Sequence, residues 1–326
     1  MSQSNTVFLP FYDRSRRGDE LGYPVKIAVS LGAGFAYLLL QYLSADNKNI
    51  VLDQYCWVLA TIISVALLAL YIATDLFRRN LGLVEKLQGQ NPVSQEIIGN
   101  WLTDRGYLIS GLAFATVITF VGYLFGVPLE FESNTFSLGI IYLGFFLSGF
   151  TCGLGLYSIV GVIVLYLKLS PCLYYTLDPM NVDGAGGIKR LGDALWFFAL
   201  LTAAVGMLVS IYLFGVSWTN AYKPWVQVLL TIWLAMPYVV AISIVLIPGL
   251  AIRRNVQYFK QHRVNELRQQ RAEVYSSMKN LAVADDREDR EIVAMNRDLK
   301  ERLNHIQQQL ANLKSMRDSH IDREEN

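Results

Sequence analysis

The sequence predicts an all-α fold: a polytopic membrane protein with about six transmembrane helices and a long C-terminal cytoplasmic tail of helical, coiled-coil type. Three observations predict it. Only 17% of the 326 residues are charged, against about 25% in ordinary soluble domains. Charge is also unevenly placed, since residues 251–326 hold 15 Lys/Arg and 13 Asp/Glu, more than the preceding 250 residues together. Finally, six apolar stretches reach the roughly 20 residues that a helix needs to cross about 30 Å of hydrocarbon.

Taken in order, residues 1–23 form a cytoplasmic or interfacial N-terminal segment, in which Val7–Tyr12 precede the basic Arg14, Arg16 and Arg17. The membrane domain is expected over 24–250, with spans near Val25–Leu43, Tyr55–Phe77, Tyr107–Val127, Phe136–Leu167, Ala194–Val216 and Trp225–Leu250. The fourth is long enough to tilt, to overrun the bilayer or to break at its glycines. Pro237 and Pro248 are expected to kink and weaken the sixth, because each removes a backbone donor. Leu83–Leu87 and Ile97–Leu102 read as short amphipathic pieces lying along the interface. Trp57, Trp101, Trp196, Trp218 and Trp225 fall near span ends, where amphipathic rings prefer to sit.

An even number of spans places both termini on one side. That side's segments carry Arg14, Arg16, Arg17, Arg78, Arg79, Lys86, Arg105, Lys168, Lys189 and Arg190, whereas the alternating loops offer only Lys48 and Lys223. The positive-inside rule therefore puts both termini in the cytoplasm, with the chain in the plasma (inner) membrane. The first apolar stretch is longer than the 7–15 residues of a signal-peptide core, so it is expected to stay as a span.

Composition excludes several chemistries. The three histidines, His262, His305 and His320, all lie in the tail, and Lys26, Asp53, Asp75 and Asp193 fall near the expected span ends. No ionisable residue is expected at mid-depth, which argues against charge-based pumps and voltage sensors. No His-Glu-x-x-His, Gly-x-Ser-x-Gly or Walker A pattern occurs, so an enzyme is not expected and no catalytic residue is assigned. Cys56, Cys152 and Cys172 share no metal spacing. No metal or cofactor is expected, and a net charge of +1 gives no footprint for nucleic acid.

Three sets of residues carry the functional reading. Within the fourth span Gly144, Ser148, Cys152 and Gly155 recur on one helix face, and Gly149 and Gly153 add a second small pair. Small residues let helix backbones approach closely in lipid, either inside one chain or between subunits around a narrow pore. Thr151 and Ser158 offer hydroxyls to a solute or to their own helix. In the loop before the fifth span, Asp178, Asp183, Gly184, Gly186 and Gly187 precede Lys189 and Arg190, a pattern suited to an anion or lipid head group or to a structured turn capped by Asp193. As an EF-hand it fails, because Pro179 and Arg190 occupy the first and twelfth ligand positions.

The tail, residues 251–326, has no Pro or Gly. Leu267, Val274 and Leu281 repeat at seven, as do Ile292, Leu299, Ile306 and Leu313, which is the seam of a coiled coil. A continuous helix pairing with another copy or with a cytosolic partner is one geometry. A hairpin folding 253–281 onto 291–316 is the other, disfavoured by the lack of a turn-forming Gly or Asn. The functional expectation is a homo-oligomeric channel or pore-like effector whose tail aids assembly. The alternatives are a membrane-anchored scaffold or signalling subunit, and a carrier for a neutral or lipid-like solute.

Overall fold

The computed structural model describes residues 22–88, 93–96, 101–127, 131, 134–172, 177, 187–283 and 290–316. No strand occurs among them. We number the long helices α1 (Tyr23–Ser44), α2 (Gln54–Leu87), α3 (Asp104–Phe125), α4 (Thr135–Leu169), α5 (Lys189–Gly215), α6 (Pro224–Val283) and α7 (Arg290–Ser315). Six helices, α1 to α6, are long and apolar enough to cross a membrane.

The chain divides into two compact units. The first comprises Met1–Lys86, Pro92–Tyr166 and Ala194–Ile247; the second comprises Leu87–Asn91, Leu167–Asp193 and Pro248–Asn326.

Helix starts in the first unit follow from short polar side chains. Thr103 accepts a hydrogen bond from the Gly106 amide at 3.2 Å to open α3, and Asn134 accepts from the Phe136 and Ser137 amides at 3.0 and 3.2 Å to open α4. The far end of α3 closes on Gly126 at φ 84°, a left-handed conformation that glycine adopts without strain. There the Asn220 side chain donates to the Leu124 carbonyl and the Asn220 backbone to the Phe125 carbonyl, both at 3.0 Å.

The core of this unit lies where α2, α3, α4 and α5 converge on a cluster of rings. Tyr55 meets Trp218 at 5.3 Å and Tyr212 at 6.1 Å between ring centres, both edge-on, and Trp218 meets Phe125 at 5.3 Å. Each polar tip has a use at this density or is left over: the Tyr55 hydroxyl donates to the Ser217 carbonyl at 2.7 Å and the Trp218 ring nitrogen to the Leu213 carbonyl at 3.0 Å.

Helix α1 is built the opposite way from a helix in water. Its outward residues are Val25, Ile27, Val29, Leu31, Phe35 and Leu39, whereas its buried face is Lys26, Ser30, Gly34, Tyr37, Gln41 and Ser44. That arrangement suits a helix whose outer surface faces lipid.

Asp75 is buried and ion-paired with buried Lys26 of the first turn of α1, and α2 runs on past Arg78 and Arg79 to Leu87. Two expectations need correction. Leu83–Leu87 is the continuation of α2 rather than a separate piece, while Ile97 and Ile98 lie outside the described residues. Helix α6 is continuous through Pro237 and Pro248 into the tail. A membrane helix tolerates proline where neighbours re-satisfy the freed carbonyls. Asp193 lies inside α5, exposed, so it does not cap it.

The fourth span resolves as one unbroken α4 of 35 residues. In the second unit the tail takes the hairpin geometry. Leu267 of α6 and Ile306 and Leu313 of α7 form one buried cluster, with Phe259, Val264, Val274 and Leu310 packed on it. The Lys260 ammonium donates to the Met316 carbonyl, which makes the helices antiparallel. Leu313→Asp, which places a carboxylate in that cluster, is expected to cost about 2–3 kcal/mol and to open the hairpin. Faster tryptic cleavage at Arg297 and Arg302 in the intact protein would report it, and an unchanged cleavage rate would refute it.

Candidate functional site: an apolar cavity among five helices

The small residues of α4 meet several different neighbours. Alanine at Gly144 would touch Leu59 and Tyr37, at Gly149 it would touch Ala115 and Ile118, and at Gly153 it would touch Phe114 and the α3 backbone. Ser148 donates to the Phe145 carbonyl of its own helix at 3.0 Å. Cys152 and Gly155 line a cavity, and Ser148 joins Cys152 on a smaller one beside it.

The larger cavity has a volume of about 140 Å³. It is lined from α2 by Ala66, Ala69 and Ala73, and from α3 by Phe114 and Ile118. Helix α4 adds Thr151, Cys152 and Gly155; α5 adds Thr202 and Gly206; α6 adds Trp233 and Pro237. These positions are central in α2 to α5 and in the apolar first part of α6, so the cavity sits midway along the apolar stretches.

The space exists because small side chains meet there from three helices. The alanines of α2 recur at three and four residues and therefore share a face. Gly206 lets Pro237 approach so closely that an added Cβ would lie 2.6 Å from the proline Cβ. Two rings, Phe114 and Trp233, are stacked at 6.1 Å and form a rigid wall.

The wall is hydrocarbon in its chemistry as well as its composition. Thr151 donates its hydroxyl to the Ser148 carbonyl at 2.9 Å, and Thr202 to the Phe198 carbonyl at 2.9 Å. Both threonines thus spend their only donor on their own helix. A smaller cavity of about 60 Å³ shares Ile118, Cys152, Val209 and Trp233 with the first, and is also lined by Tyr212. Tyr212 is buried, and its hydroxyl has no partner among the described residues.

Elsewhere, Ser158 donates to the Leu154 carbonyl at 2.9 Å and bonds the Tyr107 hydroxyl at 3.2 Å, away from the cavity. Of the loop before α5, Asp178, Asp183, Gly184 and Gly186 lie outside the described residues. Gly187 takes a positive φ of 95°, and Lys189 and Arg190 are exposed in the first turn of α5. In the tail Leu267, Leu299, Ile306 and Leu313 are buried and Val274 is half-buried; for Leu281 and Ile292 only the helical backbone is described. Among the described residues no group of three or more His, Cys, Asp or Glu comes together as a metal site.

Sequence reading missed the cavity. Its signals were Ala66, Ala69 and Ala73 on one helix face and the pairing of small Gly206 with Pro237, neither of which says that a space is left between them. No protein-family model, curated protein or solved structure matches the chain.

Proposed function

We propose that this protein binds a neutral, lipid-like molecule within its membrane bundle and acts as a carrier for it, set in the plasma (inner) membrane with both termini cytoplasmic. One observation carries this reading: a mid-span cavity of about 140 Å³ whose walls offer no free donor from the threonines that line it. A dry cavity of about 150 Å³ accepts a benzene-sized molecule. The larger space therefore suits one ring or a short branched segment of an apolar molecule. The buried Tyr212 hydroxyl of the adjoining cavity suits a single hydroxyl or carbonyl on that molecule.

The alternatives have less behind them. A homo-oligomeric channel built on the small-residue face of α4 would need that face free, yet Gly144, Gly149 and Gly153 are closed by other helices of the same chain. A scaffold recruiting a partner through a coiled coil at 251–326 would need the seam, yet Leu267, Ile306 and Leu313 bury one another.

Photolabelling tests the reading. A fatty acid bearing a mid-chain diazirine is expected to label the segment 151–159 of the purified protein. Ala69→Phe, which fills the space, is expected to cut that labelling about tenfold, the equivalent of roughly 1.4 kcal/mol in affinity. Labelling confined to the outward lipid face, and indifferent to Ala69→Phe, would overturn the proposal.

A further inference from the structure

The tail hairpin has a charged face that shares no residue with the membrane cavity and asks for a different ligand. Residues 251–272 hold six cations, Arg253, Arg254, Lys260, Arg263, Arg268 and Arg271, and a single acid, Glu266. The rest of the tail reverses that balance, with nine Lys/Arg and twelve Asp/Glu in 273–326. On a helix that turns about 100° per residue, Arg253, Arg254, Lys260, Arg268 and Arg271 fall within about 120° of one another. They form one cationic stripe on the tail part of α6, about 27 Å long at 1.5 Å per residue.

Nearby acids do not neutralise this stripe. Glu266 is taken by Arg263 at 2.5 Å. On α7, Asp298 and Glu301 pair with Arg302 and Arg297 of their own helix, at 3.0 and 3.4 Å. No Asp or Glu stands three or four residues from Lys260 or Arg268, the spacing at which charges on a helix surface pair. Arg268 and Lys314 have neither an ion pair nor a side-chain hydrogen bond among the described residues.

The hairpin gathers part of the stripe into a groove of about 390 Å³, lined by Lys260, Gln261, Asn265 and Arg268 of α6 and by Lys314 of α7. That volume falls in the range of roughly 300–1,000 Å³ that small-molecule sites occupy, and no acid lines the groove among the described residues. Lys260 has a structural use there: its ammonium donates to the Met316 carbonyl and complements the negative end of α7. An ammonium carries three donors, and that bond takes one of them. Arg268 has no such use, being exposed and far from either end of α6. Its planar fork of N–H groups matches two oxygens of a phosphate at once, and the side-chain amides of Gln261 and Asn265 supply neutral donors beside it.

We propose that this groove of the tail hairpin binds a phosphate-bearing anion. Arg268 grips the phosphate, while Lys260 and Lys314 supply the charge that balances it. Because the cations come from both helices, the bound anion bridges α6 and α7 and holds the hairpin closed. The phosphate is that of a soluble ligand or of an anionic lipid head group, and the chemistry of the groove is the same for both.

The test titrates inorganic tripolyphosphate into the full-length protein in phosphatidylcholine nanodiscs, read by calorimetry. The wild type is expected to bind, and the bound anion to slow tryptic cleavage at Arg297 and Arg302. Arg268→Gln with Lys314→Gln is expected to weaken binding about tenfold or more, since hydrogen bonds to charged groups are lost. Both side chains are exposed and unpaired, so the packing of the hairpin survives their loss. Lys279→Gln with Lys300→Gln removes the same charge outside the groove and is expected to change binding by no more than about twofold. Discs containing phosphatidylglycerol identify the source of the phosphate. If a lipid head group fills the groove, the wild type and the groove variant bind tripolyphosphate alike in those discs; if the ligand is soluble, their difference persists. A wild type that does not bind in phosphatidylcholine discs, a groove variant that binds there like the wild type, or an equal loss in the charge-matched variant would each overturn the proposal.

Discussion

Asp75→Ala is expected to lower the stability of the solubilised protein by about 3–5 kcal/mol, the usual cost of leaving one member of a buried ion pair alone. Lys26 is 2% exposed and the Asp75 side chain 8%, so neither charge can turn out to water. Removing the carboxylate takes from the buried ammonium its ion-pair partner on α2. In a chain of this size about 1 kcal/mol moves the unfolding midpoint by about 2 °C, so a fall of roughly 6–10 °C in a tryptophan-fluorescence melt is expected. The reciprocal change, Lys26→Met alone, should do similar damage by stranding the carboxylate. The double variant Lys26→Met with Asp75→Leu should recover most of the loss, because an apolar pair of similar volume avoids the desolvation of both charges. A single variant that melts within about 1 kcal/mol of wild type would show the pair to be hydrated already. Equal losses in the double and single variants would show that packing, not charge, was disturbed.

That pair also marks where the sequence stops being sufficient. Spans are legible because hydropathy is a property of each segment by itself, and six of them were read near the places where α1 to α6 lie. The ends are less legible. Arg78 and Arg79 mark the end of the apolar stretch but not of the helix, which continues to Leu87, and the burial of Asp75 against Lys26 cannot be read from α2 alone. The polar face of α1 was present in the sequence at intervals of three and four residues. It was hidden by the Val, Ile, Leu and Phe between, which set the segment average and turn outward.

The candidate sites divide in the same way. Close approach at Gly144, Gly149 and Gly153 is written in residue size, but the partner is not, and the structure supplies three different ones. A cavity is a property of residues that fail to fill a space, so Ala66, Ala69 and Ala73 reveal it only once α5 and α6 stand opposite. The tail seam was equally clear in both halves, and heptad spacing favours pairing without saying whether the second helix is a neighbour or the same chain returning. The structure shows the chain returning, since Leu267 of α6 packs against Ile306 and Leu313 of α7.

The packing of α4 gives the second large expectation, and its sign is informative. A glycine inside a helix is normally worth replacing, since alanine or leucine gains close to 1 kcal/mol in helix propensity. Gly139 is the control: nothing lies within 4 Å of an added Cβ, so Gly139→Leu is expected to be neutral or mildly stabilising. Gly153, on the same helix, is expected to behave oppositely. A Cβ there would come within 2.8 Å of the Ser110 carbonyl oxygen and 3.0 Å of the Gly111 Cα, both backbone atoms that cannot rotate aside. Gly153→Leu must therefore push α3 away from α4 and break the bond from the Ser110 hydroxyl to the Gly153 carbonyl at 3.1 Å. Overpacking of a well-filled core costs about 1–3 kcal/mol and more where backbone must move, so a net loss of about 3 kcal/mol is expected. Gly153→Ala should fall between. Gel filtration and melting of the three variants decide the matter. Gly153→Leu as monodisperse and stable as Gly139→Leu would mean that α3 and α4 are not in contact at this face, which would leave the face available to a second subunit and return the oligomeric pore to contention.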